Sequence, residues 1–152
     1  MATPTTIDTD TELSAVNSIL GAIGQSPITT LNYENPEIAF IYNLLTEVNK
    51  DVQNEGWVFN KEYNVKIPPD SNKHIVIPAN VLSYDLHYDD EKKDKNVVRR
   101  SGKLWDTIGQ SYEFDDDAYL DITWLWTYED LPMAFKRYII SRASVRAATQ
   151  LV

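Results

Sequence analysis

Apolar positions follow a helical period near both ends of this chain and an alternating period through its middle. Leu13, Val16, Ile19, Leu20 and Ile23 fall three and four apart, which puts them on one face of a helix. Thr9 and Glu12 have the T-x-x-E spacing of a capping box and predict where that helix starts. Gly24 stands where a left-handed C′ residue belongs, and Pro27 blocks continuation. A wider stripe of Ile38, Ile41, Leu44, Leu45, Val48 and Val52 predicts a second helix between Asn35 and Gly56. Asn35 suits its N-cap, Pro36 its N1 position and Glu37 the positive end of its dipole. Asn49, Lys50 and Asp51 are expected to face mostly outward. A third helix is predicted from near Asp130, with Pro132 in its first turn. Its apolar face comprises Leu131, Phe135, Tyr138, Ile139, Ala143 and Ala147. The pattern is still helical at Val152, which reads as a cut end.

Between the second and third helices the period changes to two. Trp57 and Phe59 open an extended segment, Tyr63, Val65 and Ile67 alternate with polar residues, and Pro68, Pro69 and Asp70 predict a turn. A β-branched run follows from His74 to Ile77, then Leu82, Tyr84, Leu86 and Tyr88 alternate again. Asp89, Asp90, Glu91, Lys92, Lys93, Asp94 and Lys95 form a charged tip. Val97 to Arg100 and Lys103 to Trp105 look like a hairpin about Ser101 and Gly102, and Tyr119 to Trp126 reads as the longest strand. The middle is therefore expected to be one antiparallel layer of about four to six strands.

An α-α-β-α order predicts an α+β protein: a small bundle of two N-terminal helices and one C-terminal helix, with an inserted antiparallel β lobe. The expected division is a flexible arm at 1–9, the bundle at 10–56 and 129–152, and the β lobe at 57–127, all within one subunit of 152 residues.

Composition narrows the function. With 43% hydrophobic residues, four Trp and nine Tyr, the chain has material for a packed core. A formal charge of −9 repels phosphate backbones, so the chain lacks the footprint of a protein that grips DNA. There is no cysteine, hence no disulfide framework and no thiolate metal site. No apolar run nears the roughly 20 residues that span a bilayer, and the Thr-rich, acidic start lacks signal-peptide features. A soluble, unexported chain with no membrane partner is expected.

Little in the sequence points to catalysis. Phosphate-loop, dinucleotide, zincin and nucleophile-elbow motifs are all absent. His74 and His87 are isolated, which favours ordinary strand or surface roles. Asp115, Asp116 and Asp117 could offer oxygen ligands to a hard cation, but they lack the glycine and closing glutamate of a calcium loop. A solvated acidic turn is the favoured reading. Lys136, Arg137, Arg142 and Arg146 are spread around the third helix, where solvation, dipole matching or intersubunit pairing accounts for them better than DNA binding. Trp124 and Trp126 are expected to share a strand face, and surplus aromatics of this kind suit protein interfaces as well as cores. No catalytic, metal or cofactor residue is assigned, and the chain is not expected to be an enzyme.

Three segments carry a resemblance. The first is Glu12-Leu-Ser-Ala-Val-Asn17, running on through Ile19, Leu20, Ile23, Gly24 and Pro27. The second is Gly56-Trp57-Val58-Phe59-Asn60, and the third Tyr128-Glu129-Asp130-Leu131-Pro132 with Phe135, Tyr138, Ile139, Ala143 and Ser144. In order and spacing they resemble the tail tubular protein A family of short-tailed phages, the head-to-tail adaptors or gatekeepers. The resemblance implies a dodecameric homo-oligomeric ring between the portal protein and the tail nozzle protein, tail tubular protein B. It also implies a lumen through which DNA passes without specific binding, and a place in the virion after assembly in host cytoplasm. Members of that family usually carry a further acidic, aromatic C-terminal extension.

Within that frame, Glu47, Asp51, Glu55, Asp115, Asp116 and Asp117 are candidates for acids that line the channel. Tyr84, Tyr88, Asp89, Asp90, Lys92, Lys93, Trp124, Trp126, Arg142 and Arg146 are candidates for a subunit or nozzle interface. The alternatives are another phage connector or head-completion protein, a metal-dependent enzyme using Asp115, Asp116, Asp117 and Asp121, or a nucleic-acid-binding module, which the charge disfavours.

Overall fold

A computed structural model of the chain describes residues 11–88, 90 and 96–151. Among the described residues three α-helices and five strands follow the order α1 (Glu12–Ala22), α2 (Pro36–Asn54), β1 (Lys61–Ile67), β2 (Val81–Leu86), β3 (Val97–Arg100), β4 (Lys103–Asp106), β5 (Ala118–Trp124) and α3 (Met133–Leu151). The fold is α+β with antiparallel strands inserted between helices. Contacts divide the chain into two compact units, one comprising the segments up to Val52 and from Trp126, the other Gln53–Leu125.

In the helical unit, chain punctuation decides where each helix begins and ends. Thr11, not Thr9, caps α1: its side chain accepts from the Ser14 N–H at 3.2 Å, while Ser14 Oγ accepts from the Thr11 N–H at 3.0 Å. The box is thus T-x-x-S, one in which a serine hydroxyl replaces the expected glutamate; Thr9 lies outside the described residues. At the other end Gly24, at φ 82°, lets its own N–H reach Gly21 O and the Gln25 N–H reach Leu20 O, at 3.2 and 2.8 Å. That pair of bonds is a Schellman closure. Asn35 caps α2 by accepting from the Glu37 N–H at 3.0 Å, and Gly56, at φ 80°, ends it.

The expected apolar stripe of α2 is buried throughout, from Ile38 to Val52. Asn49 is buried as well, against expectation, as is Gln53; Lys50 and Asp51 are exposed. Asn49 lies one residue beyond Val48, at the margin of a stripe wide enough to draw it in. Before α3 the chain makes a single 3-10 turn at Tyr128–Asp130, so the helix itself starts at Met133, later than the pattern indicated. The Pro132 carbonyl accepts its first bond, from Lys136. α3 packs on α1 through Ile139, Ala143 and Ala147 against a face of Ala15, Val16, Ile19 and Leu20. Alanines on both faces allow close approach of the helix backbones. Tyr138, expected on the buried face, is instead exposed; Lys136 is buried with its ammonium 5.9 Å from the Tyr128 ring.

In the β unit the expected single layer is two sheets. β5 sits between β1 and β2 in a three-stranded antiparallel sheet, and β3 pairs with β4 as a separate hairpin. Trp57 to Asn60 is a turn, closed by the Asn60 and Lys61 N–H groups on Trp57 O, and is not extended as expected. The 74–77 run makes isolated bridges, His74 to Glu113 and Val76 to Lys103, and no continuous strand. Prolines at 68, 69 and 78 bracket it too closely for a long ladder. Ile75, Ile77, Val81, Leu104, Phe114, Ala118, Leu120 and Ile122 form the core of this unit, with Val65, Ile67, Tyr84, Leu86, Val97 and Trp124 packed around them.

Candidate functional site

For a protein expected to act through its surfaces, the site is the distribution of exposed charge and exposed apolar area. The acidic candidates are all at least partly accessible, and several are already matched with cations. Asp51 on α2 receives Arg146 Nη2 of α3 at 2.9 Å. Asp115 pairs with Lys73 at 3.2 Å and Asp117 with Lys66 at 3.3 Å. Glu47, Glu55 and Asp116 are exposed. Exposed pairs of this kind add little stability but cancel part of the local field. Among the described residues no three His, Asp or Glu side chains gather as a metal site. Asp121, offered as a fourth carboxylate beside Asp115, Asp116 and Asp117, instead holds His87 Nδ1 at 2.8 Å and accepts from the Asn64 N–H at 3.0 Å. Burial alone would raise the Asp121 carboxyl. The Asn64 N–H and His87 bonds, with the charges of His87 and Lys61, outweigh it and hold the group below the usual range.

The interface candidates separate. Tyr84 and Leu86 pack on the β core, whereas Tyr88 is exposed. Burial pushes the Tyr84 phenol up, with Arg99 opposing and Asp85 adding to the shift. Asp90 was expected on a charged tip, as an interface candidate, but is buried: its Oδ2 accepts the Tyr119 N–H at 2.6 Å, and its own N–H donates to His87 O. It fastens the end of β2 to β5, a structural role that its acidic neighbours in sequence conceal. Asp89, Lys92 and Lys93 lie outside the described residues. Trp124 ends β5 while Trp126 falls beyond the strand, so the two do not share a strand face. A groove of about 640 Å³ runs along β2 and β3, lined by Tyr84, Leu86, Tyr88, Val98, Arg99 and Asp121 among others.

Arg142 and Arg146 sit on α3 beside surface that the apolar pattern had not singled out. Val145 is 67% exposed, and Ser141, Arg142, Val145 and Arg146 line a shallow hollow of about 330 Å³. The signal was present: Ala134, Tyr138, Ser141, Val145 and Ala148 recur at steps of four and three, opposite the buried stripe.

The chain matches the family described as "Tail tubular protein" over residues 13–152. It belongs to that family. A relative, tail tubular protein A of Klebsiella phage KP34, is 31% identical over 121 residues, which cover 80% of this chain. The chain spans 62% of the length of that curated relative. Family membership makes it a structural protein of a phage tail, and so a component of the virion.

As a tail tubular protein, it uses the three segments that carried the resemblance as clamps. Asn17 Oδ1 accepts the Ile28 N–H at 2.8 Å and its Nδ2 donates to Ile28 O at 3.0 Å, folding the chain after α1 back onto the helix. Asn60, fully buried, donates to Gln53 O and Trp124 O at 2.7 and 3.0 Å and accepts from the Trp57 N–H at 2.7 Å. In the third segment Glu129 Oε1 accepts the Glu12 N–H at 3.3 Å, joining the 3-10 turn to the start of α1. These residues fix local junctions of the chain.

Proposed function

We propose that this tail protein is a ring-forming head-to-tail adaptor, a homo-oligomer that joins the portal protein to the nozzle protein and continues the DNA channel. The observation that carries the proposal is the family match across residues 13–152, which takes in helices and β unit alike. A dodecamer is the ring size that the resemblance implies. Closing such a ring requires two different patches on each subunit, one for each neighbour. Exposed Tyr88 and Val98 on the β unit, and Tyr138 and Val145 on α3, supply apolar area for such patches.

Acidic surface suits the lumen, since a negatively charged wall does not hold phosphates and DNA can pass without specific binding. Some of Glu47, Asp51, Glu55, Asp115, Asp116 and Asp117 would face it. The role needs no catalytic residue, cofactor or membrane, and assembly in host cytoplasm fits a chain without cysteine.

The test is to mix the purified full-length protein with its cognate portal ring and image the product by electron microscopy. One coaxial ring seated on the portal supports the adaptor reading. No binding by the full-length protein overturns it and favours a different connector role.

A further inference from the structure

We infer that the solvent-facing side of α3 is one half of the contact between neighbouring copies, and that it docks on the acidic outward stripe of α2 in the next copy. The inference rests on the ring proposed above and names the surfaces that would close it. Copies carrying −9 each repel one another once they approach within about a Debye length, so a contact needs a face of opposite sign. α3 supplies one. Its 19 residues include not one Asp or Glu; Lys136 is buried and Arg146 pairs with Asp51 of the same copy, so the outward charge of the helix comes from Arg137 and Arg142.

The same helix presents an apolar seam to solvent. Ala134, Tyr138, Ser141, Val145 and Ala148 follow the four-three spacing of a helix-packing stripe, directly opposite Ile139, Ala143 and Ala147. Tyr138 is 42% exposed and Val145 67%. Arg137 and Arg142 flank the seam, and the Arg142 guanidinium lies 5.6 Å from the Tyr138 ring centroid, held along the stripe by the face of the ring. One α-helix thus carries a buried face and an exposed face of similar make-up, with arginines beside the exposed one.

α2 carries the complement. Glu37, Phe40, Glu47 and Asp51 are exposed along α2, with Lys50 beside Asp51 and Glu37 one turn before Phe40. Within one copy Asp51 already binds Arg146 of α3 at 2.9 Å, the same acid-to-guanidinium pairing that Glu37 and Glu47 would offer Arg137 and Arg142 of the next copy. The α3 seam and the α2 stripe are different surfaces, so the contact is head-to-tail, the kind that closes a ring. This use of Glu47 and Asp51 leaves Glu55, Asp115, Asp116 and Asp117 for the lumen.

The experiment uses the full chain with its cognate portal and reads ring occupancy by electron microscopy, with thermal melting as a check on folding. Val145→Glu and Arg142→Glu should each lower ring yield about tenfold or more, as like charges meet across the contact. Val145→Glu, at an exposed position, should leave the melting temperature unchanged. Adding Glu47→Arg to Arg142→Glu should restore the ring, because the pair is rebuilt with its signs exchanged. If both single variants form rings as the wild type does, the α3 assignment is overturned and the adaptor reading stands. If the wild type forms no ring on the portal, the adaptor reading fails first. Loss of single-subunit attachment to the portal would place the portal, not a second copy, on this face. Failure of Glu47→Arg to rescue would overturn α2 as the acceptor.

Discussion

Asn60 shows how one side chain settles a junction. Its amide satisfies two carbonyls and one N–H around the exit from α2, and its own carbonyl accepts the Trp124 N–H at 2.8 Å. Truncation would leave the Gln53 and Trp124 carbonyls and the Trp57 N–H without the side-chain amide at a buried to half-buried site, and each buried unmet partner costs about 1–3 kcal/mol. Asn60→Ala should therefore destabilise the protein by about 2–4 kcal/mol in urea unfolding, and a loss below about 1 kcal/mol would contradict the clamp. Asp121 belongs to the same scale. Because its folded pKa lies below the unfolded value of about 3.9, its bonds to Asn64 and His87 contribute stability above that pH. The contribution is lost as pH falls through the folded value. Denaturation midpoints should drop less steeply below about pH 4 in Asp121→Asn than in the wild type; parallel acid limbs would show the carboxylate to be uninvolved. The sequence marked Asn17 and Asn60 as members of meaningful segments and could not say why. Their partners lie as far as 11 and 64 residues away, beyond any local pattern. Asp90 misled for the opposite reason, since its charged neighbours pointed to solvent while the fold gave it the Tyr119 N–H.

Among elements, those with their own punctuation were legible and those defined by partners were not. α2 runs where Asn35, Pro36 and Gly56 said it would, because caps and prolines act within a few residues. Strands need a partner before they exist. The 74–77 run and the Trp57 turn both have extended-looking composition, yet their pairing is decided by β4 and by Asn60. The β3–β4 hairpin is the exception in the β unit, and its turn is the reason. Ser101 at φ 52° and Gly102 at φ 73° give two successive left-handed residues, the type I′ geometry whose twist matches paired strands. A Cβ at Gly102 would meet nothing within 4 Å, so the cost of Gly102→Ala is backbone strain alone. That strain should lower stability by about 1 kcal/mol. Ser101→Asn, which favours the same backbone region, should raise stability by a few tenths of a kcal/mol. Equal and opposite shifts are not required. If Gly102→Ala were neutral in thermal melting, the turn could not be setting the register of the hairpin.

Whole-molecule charge is read directly from the residues, and folding redistributes it. A net −9 could mean a uniformly acidic surface, but Lys66, Lys73 and Arg146 screen Asp117, Asp115 and Asp51, while α3 gathers cations and no acids. Under the proposed ring, every exposed acid is repeated once per subunit around the channel, so one substitution changes the wall many times over. Asp116 is exposed and has no ion pair among the described residues, which makes its replacement the least disruptive probe. Asp116→Lys would set a circle of ammonium groups against passing phosphates, and each phosphate contact releases counterions and steepens the salt dependence by about 0.9 per contact. Virions carrying Asp116→Lys should therefore eject DNA more slowly than the wild type at about 50 mM salt and recover toward the wild-type rate at about 200 mM. Asp116→Asn should fall between them, because it removes repulsion without adding attraction. Fluorescence of released DNA follows the rate in each case. An ejection rate that ignores both substitution and salt would mean that Asp116 lies away from the DNA path, and the acidic lumen would have to be sought at Glu55 or on another face of the subunit.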